Sequence, residues 1–113
     1  MAQLTLNLVQ GAVSFSFSED AAKQLQTEIA ALMQSLKAIA TANTGAGNRP
    51  VKQESMEYRY TGDVFLEIFC NPNIYPSPFA AKILLTLRDD RIRLTSEAEL
   101  TQLIEDLNIF LES

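Results

Sequence analysis

The sequence predicts an α+β domain of two layers, a mostly antiparallel sheet with two helices packed on one face. Three observations carry that expectation: paired segments of alternating apolar and polar residues, two apolar stripes at helical spacing, and turn-forming residues between consecutive segments. The resulting order is β-β-α-β-β-β-β-α. Amphipathic helices and half-buried strands hide apolar area most readily against each other, which stacks the two kinds of element. A chain of 113 residues, 47% hydrophobic and 20% charged, fits one domain over residues 1–113 with a core that needs neither metal nor disulfide.

In the first hairpin, Leu4, Leu6 and Leu8 alternate with Thr5 and Asn7, and after Gln10-Gly11 the residues Val13, Phe15 and Phe17 alternate with Ser14, Ser16 and Ser18. Ser18 then stands before Glu19 and Asp20. Its hydroxyl can accept from the free N–H groups of a helix start, where two carboxylates complement the positive end of the helix dipole. The helical stripe is Ala22, Leu25, Ile29, Leu32, Leu36 and Ile39, and Gly45-Ala46-Gly47-Asn48-Arg49-Pro50 is its stop. So narrow a stripe fits either packing on the chain's own sheet or a coiled-coil seam to a second copy. About 24 residues of helix would be about 36 Å long, against about 23 Å for a seven-residue strand, so one end is expected to project and invite a homodimer.

The second half opens with Met56, Tyr58 and Tyr60 alternating with Glu57 and Arg59, a turn at Thr61-Gly62-Asp63, and the run Val64 to Cys70. Val64, Leu66, Ile68 and Cys70 share one face of that run and Phe65 and Phe69 lie on the other, which predicts a central strand. A third hairpin runs from Lys82 to Arg88, turns at Asp89-Asp90 and returns from Arg91 to Leu94, with Ile83, Leu85 and Leu87 inside. Ser96-Glu97-Ala98-Glu99 matches the S-x-x-E capping box and predicts the start of the last helix, whose stripe is Leu100, Leu103, Ile104, Leu107, Phe110 and Leu111.

Composition removes whole classes of chemistry. With 9 Lys and Arg against 14 Asp and Glu the net charge is −5, which opposes binding to nucleic acid or to an anionic membrane. There is no histidine and one cysteine, so histidine general bases, most zinc sites and an intrachain disulfide are excluded; no cofactor or metal is expected. The first residues lack a basic leader and no window holds about 20 consecutive apolar residues, so the expectation is a cytoplasmic chain outside the membrane. Cys70, at the end of an apolar run, reads as a buried hydrophobe. The pair Gly45-x-Gly47 follows a helix instead of a strand, which suits helix termination and not a phosphate loop. Asp89-Asp90, Glu97 with Glu99, and Glu105-Asp106 are the carboxylate pairs, read as turn, first helical turn and solvated helix face.

Two segments stand out as candidate surfaces for a partner. From Asn71 to Phe79, Pro72, Pro76 and Pro78 stiffen the chain while Ile74, Tyr75 and Phe79 place large apolar groups on a loop. Such a loop is either a lid folded over one end of the core or a docking segment of low ordering cost. Arg88, Arg91 and Arg93 flank the aspartate turn, with Arg91 and Arg93 expected on one face. They either pair with Glu57, Glu67 or the turn aspartates and guard a strand edge, or form a rim that accepts an acidic peptide.

The stretch LTLRDDRIRLTSEAELTQLIEDLN, residues 85–108, resembles the C-terminal hairpin and helix of small conserved cyanobacterial proteins of unassigned activity. By analogy of type, that resemblance implies a small acidic assembly chaperone, such as one serving carboxysome shell, Rubisco or photosynthetic biogenesis. The expectation is a non-enzymatic interaction module, an adaptor or assembly chaperone, with Ile74, Tyr75 and Phe79 as anchors, the three arginines as rim, and strand addition at a sheet edge as a second route. The alternative is a small-ligand sensor or regulatory subunit with a pocket between helix and sheet.

Overall fold

A computed structural model describes residues 2–44 and 52–112 and contains the predicted elements in the predicted order. They are β1 (Gln3–Asn7), β2 (Ala12–Ser16), α1 (Glu19–Thr44), β3 (Met56–Thr61), β4 (Phe65–Cys70), β5 (Lys82–Arg88), β6 (Arg93–Glu99) and α2 (Leu100–Glu112), with 3-10 turns at Pro72–Ile74 and Pro78–Ala80 between β4 and β5. The strands divide into a β1-β2 hairpin and a separate antiparallel sheet of order β3-β4-β5-β6. The helices pack against sheet, giving the α+β class. None of the described helices is long and apolar enough to cross a membrane.

The local rules that placed the first hairpin and α1 have visible counterparts. Gly11 takes φ of 98° in the β1-β2 turn, a conformation a side chain resists, and the Leu8 N–H closes that turn on the Gly11 carbonyl at 2.8 Å. The Ser18 hydroxyl accepts from the Ala21 N–H at 3.1 Å and so caps α1. The α1 stripe from Ala22 through Ile39 is buried, and α1 packs on β3, α2 and both 3-10 turns. Those contacts consume the stripe within the chain, so it is no seam for a second copy. The 26 residues of α1 span about 39 Å and run well past the six- or seven-residue strands. The predicted stop at residues 45–50 lies outside the described residues.

Two boundaries differ from expectation. The capping box does not cap: Ser96 to Glu99 continue β6, pairing in register from Arg88↔Arg93 to Lys82↔Glu99, and α2 begins only at Leu100. A cap stabilises by about 1 kcal/mol. The β5 ladder would otherwise leave a row of backbone groups unpaired and Ala98, 2% exposed, out of the core. The tight turn at Asp89-Asp90 is also wider than expected. Asp89 Oδ1 accepts from the backbone N–H groups of Arg91 and Ile92, both at 2.8 Å, so Arg91 belongs to the turn and not to a strand. Those two bonds hold the Asp89 carboxyl below its usual range.

The core lies on the inner face of the four-stranded sheet, where Met56, Tyr58, Leu66, Ile68, Cys70, Ile83, Leu85 and Leu87 meet α1, α2 and the first hairpin. Burial pushes the Cys70 thiol up to about 11 from an ordinary 9.0, and the Tyr58 phenol up to about 12 from 10.0. Tyr58 also donates to the Ala21 carbonyl at 3.2 Å. Both groups hold their protons more tightly folded than unfolded, so stability is intact below about pH 9 and falls as the pH rises towards 12. The expected loss is about 2 kcal/mol from each group. Urea midpoints measured from pH 8 to pH 11 should decline, and Cys70→Ala should flatten the early part of that decline; a level profile would refute the assignment.

Candidate functional site

The two candidate surfaces end up at opposite ends of β5. The proline-rich segment precedes Lys82, and the arginines follow from Arg88, some 20 Å away along a seven-residue strand. A partner segment must run extended for about six residues to touch both.

The proline-rich segment is both of the things its composition allowed. Pro72 is buried and Tyr75 packs partly against the core, as a lid would. Ile74 and Phe79 point outward at 67% and 87% exposure. Little of the backbone here is loose. Asn71 caps the first 3-10 turn by accepting from the Asn73 N–H at 3.1 Å. Asn73 in turn grips the backbone of Gln53, accepting from its N–H at 2.8 Å and donating to its carbonyl at 2.7 Å. At the other end the Ala81 carbonyl accepts from the Leu100 N–H at 3.0 Å, tying the second 3-10 turn to the start of α2. Two exposed apolar side chains are thus displayed by a segment stapled to β3's approach and to α2.

The arginines sit on the outer face of the four-stranded sheet and its turn. Arg88 lies directly across the ladder from Arg93, and its guanidinium stacks 4.4 Å above the centre of the Phe65 ring. Arg91 is exposed in the turn, away from that pair. Among the described residues none of the three arginines makes an ion pair; the outer-face bridge is instead Arg59 to Glu67 at 2.9 Å. The register assembles this face in rows. Beyond a short row of Lys82 and Glu99 on β5 and β6 alone, one row reads Glu57, Phe69, Leu84, Glu97, and the row at the opposite end Thr61, Phe65, Arg88, Arg93. Leu84 is 43% exposed and Phe65 and Phe69 are half-buried, so β4 is central in the sheet, as predicted, yet its second apolar face remains open among the described residues. Phe65, Phe69 and Leu84 were readable as apolar, but nothing in their spacing shows that no helix covers them.

An open groove of about 430 Å³ runs between α1 and α2, lined by Ile29, Met33, Ile104 and Leu107 with Lys37 beside them. It lies between helices and not between helix and sheet. The Gln26 amide donates to Asn108 Oδ1 at 3.2 Å across it. Among the described residues no three carboxylate or thiol groups converge into a cation site. Asp106, expected on a solvated helix face, is 4% exposed and accepts from Asn7 and Gln102. At the sheet margin the Val9 N–H donates to the Glu97 carbonyl at 2.9 Å, so the first hairpin's turn occupies part of the β6 edge that strand addition would need.

No protein-family model matches this chain, and comparison with curated proteins and with solved structures yields no significant similarity.

Proposed function

We propose that this chain is a non-enzymatic protein-interaction module, an adaptor or assembly chaperone that grips a segment of a partner protein through Ile74 and Phe79. The supporting observation is the exposure of these two large apolar groups, 67% and 87%, on a backbone held by prolines and by side-chain bonds at both ends. Exposed apolar groups on an already ordered loop lose little conformational entropy when a partner covers them, so more of the burial energy appears as affinity. Tyr75 acts from beneath, holding the loop on the core. The sensor reading has less behind it: Gln26 is tied to Asn108, which leaves few polar groups free to fix a ligand in the helix groove.

The test follows from the exposures. Replacing Ile74 and Phe79 together with Ser removes the anchors at sites where surface changes cost within about 0.5 kcal/mol, so the thermal midpoint should hold. A cross-linked pull-down should retain a discrete partner with the wild type and lose it with the double variant. Retention by both, or no partner with either, would overturn the reading. Tyr75→Ala is the wrong probe, because it loosens the core as well.

A further inference from the structure

We infer that the outer face of the four-stranded sheet is the interface with a second copy of this chain, packed sheet to sheet about a two-fold axis that runs across the strands. This does not rest on the loop reading above.

The first reason is charge. Arg88 and Arg93 are direct cross-strand neighbours, and like charges so placed destabilise a sheet unless something neutralises them. No carboxylate among the described residues does so. Of the carboxylates of the same face, Glu67 in the middle row is taken by Arg59, and Glu57 and Glu97 stand in the row beyond it, with Glu97 four residues along β6 from Arg93. Two positions on one strand with that separation lie about 13 Å apart and cannot pair within a chain.

The second reason is symmetry. A two-fold axis lying in the face and crossing the strands through the Glu67 and Thr86 row exchanges the Glu57 row with the Thr61 row while keeping each strand over its own counterpart. Glu97 then meets Arg93 of the second copy, and Phe69 meets its Phe65. Leu84, 43% exposed, comes under the second copy's Arg88, whose guanidinium is already held against a ring. Rotation about an axis along the strands instead stacks acidic row on acidic row. The same axis sets Arg59 over the second copy's Arg59 and Glu67 over its Glu67, but these two are already joined to each other within each chain at 2.9 Å, so the unpaired charges of the outer rows favour this one of the two aligned sheet packings.

Size sets the strength. Four strands about 4.8 Å apart, crossed by three rows, present roughly 350 Å² of projected face per copy, less than half of the about 800 Å² that each partner of a standard interface buries, so the association is weak and transient. The dimer should be of micromolar strength and should weaken with salt, which screens the Arg93–Glu97 contact.

Sedimentation equilibrium on the full chain, from about 5 to 200 µM at low ionic strength, tests this. The wild type should dimerise. Arg93→Glu and Glu97→Arg should each weaken association about tenfold or more, and the two together should restore it to within about threefold, because the pair is rebuilt with its signs exchanged. Both positions are exposed, and circular dichroism with an urea midpoint would show each variant folded. A wild type that stays monomeric, single variants that dimerise like the wild type, or a double variant that does not recover would each overturn the proposal. Binding of a polyglutamate peptide by a monomeric wild type would assign the arginines to an acidic partner and overturn it as well.

Discussion

Phe17→Ala is expected to lower the unfolding free energy by about 3–5 kcal/mol, a large part of what a domain of this size has. Phe17 is fully buried, and its ring makes edge contacts with Phe15 at 5.7 Å, Tyr60 at 4.8 Å and Phe110 at 6.0 Å between centroids. Those neighbours come from β2, β3 and α2, so this one side chain joins the first hairpin to the main sheet and to the last helix. None of the three can collapse into the space without giving up its own contacts, and the cavity should persist. Tyr60 is further confined because a side chain at position 62 would strike its ring, which leaves glycine there. Urea unfolding of Phe17→Ala and Phe17→Leu measures the effect; Leu should recover about half of the loss, and a cost below about 1 kcal/mol for Ala would show that the ring is not the joint.

Asp106→Ala should cost about 2–3 kcal/mol, although it removes a charge from a chain that already carries −5. Its carboxylate accepts from the Asn7 backbone N–H at 2.8 Å, the Asn7 amide at 3.0 Å and the Gln102 amide at 2.9 Å, and it lies between β1 and α2. Truncation leaves the Asn7 N–H without its acceptor in a partly buried place, and that unmet donor costs more than the bond itself contributes. Asp106→Asn keeps the shape but sets an amide N–H₂ against donors, so it should recover only part of the loss. Chemical denaturation of both variants decides the matter: equal stability to wild type would mean that water replaces the carboxylate without cost.

What was legible in the sequence is what periodicity encodes. Alternation placed β1, β2, β3 and β5, and 3-4 spacing together with Ser18 placed α1 and its start. The Ser96 to Glu99 segment misled because two grammars overlap there: a capping motif reads four residues, whereas the alternation Leu94, Ser96, Ala98 against Thr95, Glu97, Glu99 reads the whole strand. The longer pattern carries more hydrogen bonds and prevails. Asp106 was within reach as well, since buried positions at Leu100, Leu103, Asp106, Leu107 and Phe110 form one stripe and its polarity alone argued against it. The separation of Phe79 from Arg88 was within reach too, because alternation had placed the strand Lys82 to Arg88 between them and a seven-residue strand holds its ends about 20 Å apart. The open outer face was not legible: the apolar residues are written in the chain, but their cover is a property of the assembled layers, which no local window contains.

The Asn7 to Asp106 contact joins positions 99 residues apart, which has a consequence for how the molecule is made. A ribosome adding about 5–20 residues per second needs roughly 5–20 s to pass from β1 to α2. Through that interval the first hairpin has been synthesised while the helix that covers Leu4 and Leu6 has not. Two strands alone are barely stable in water. The N-terminal segment is therefore made first, and its packing cannot be completed until α2 has been synthesised.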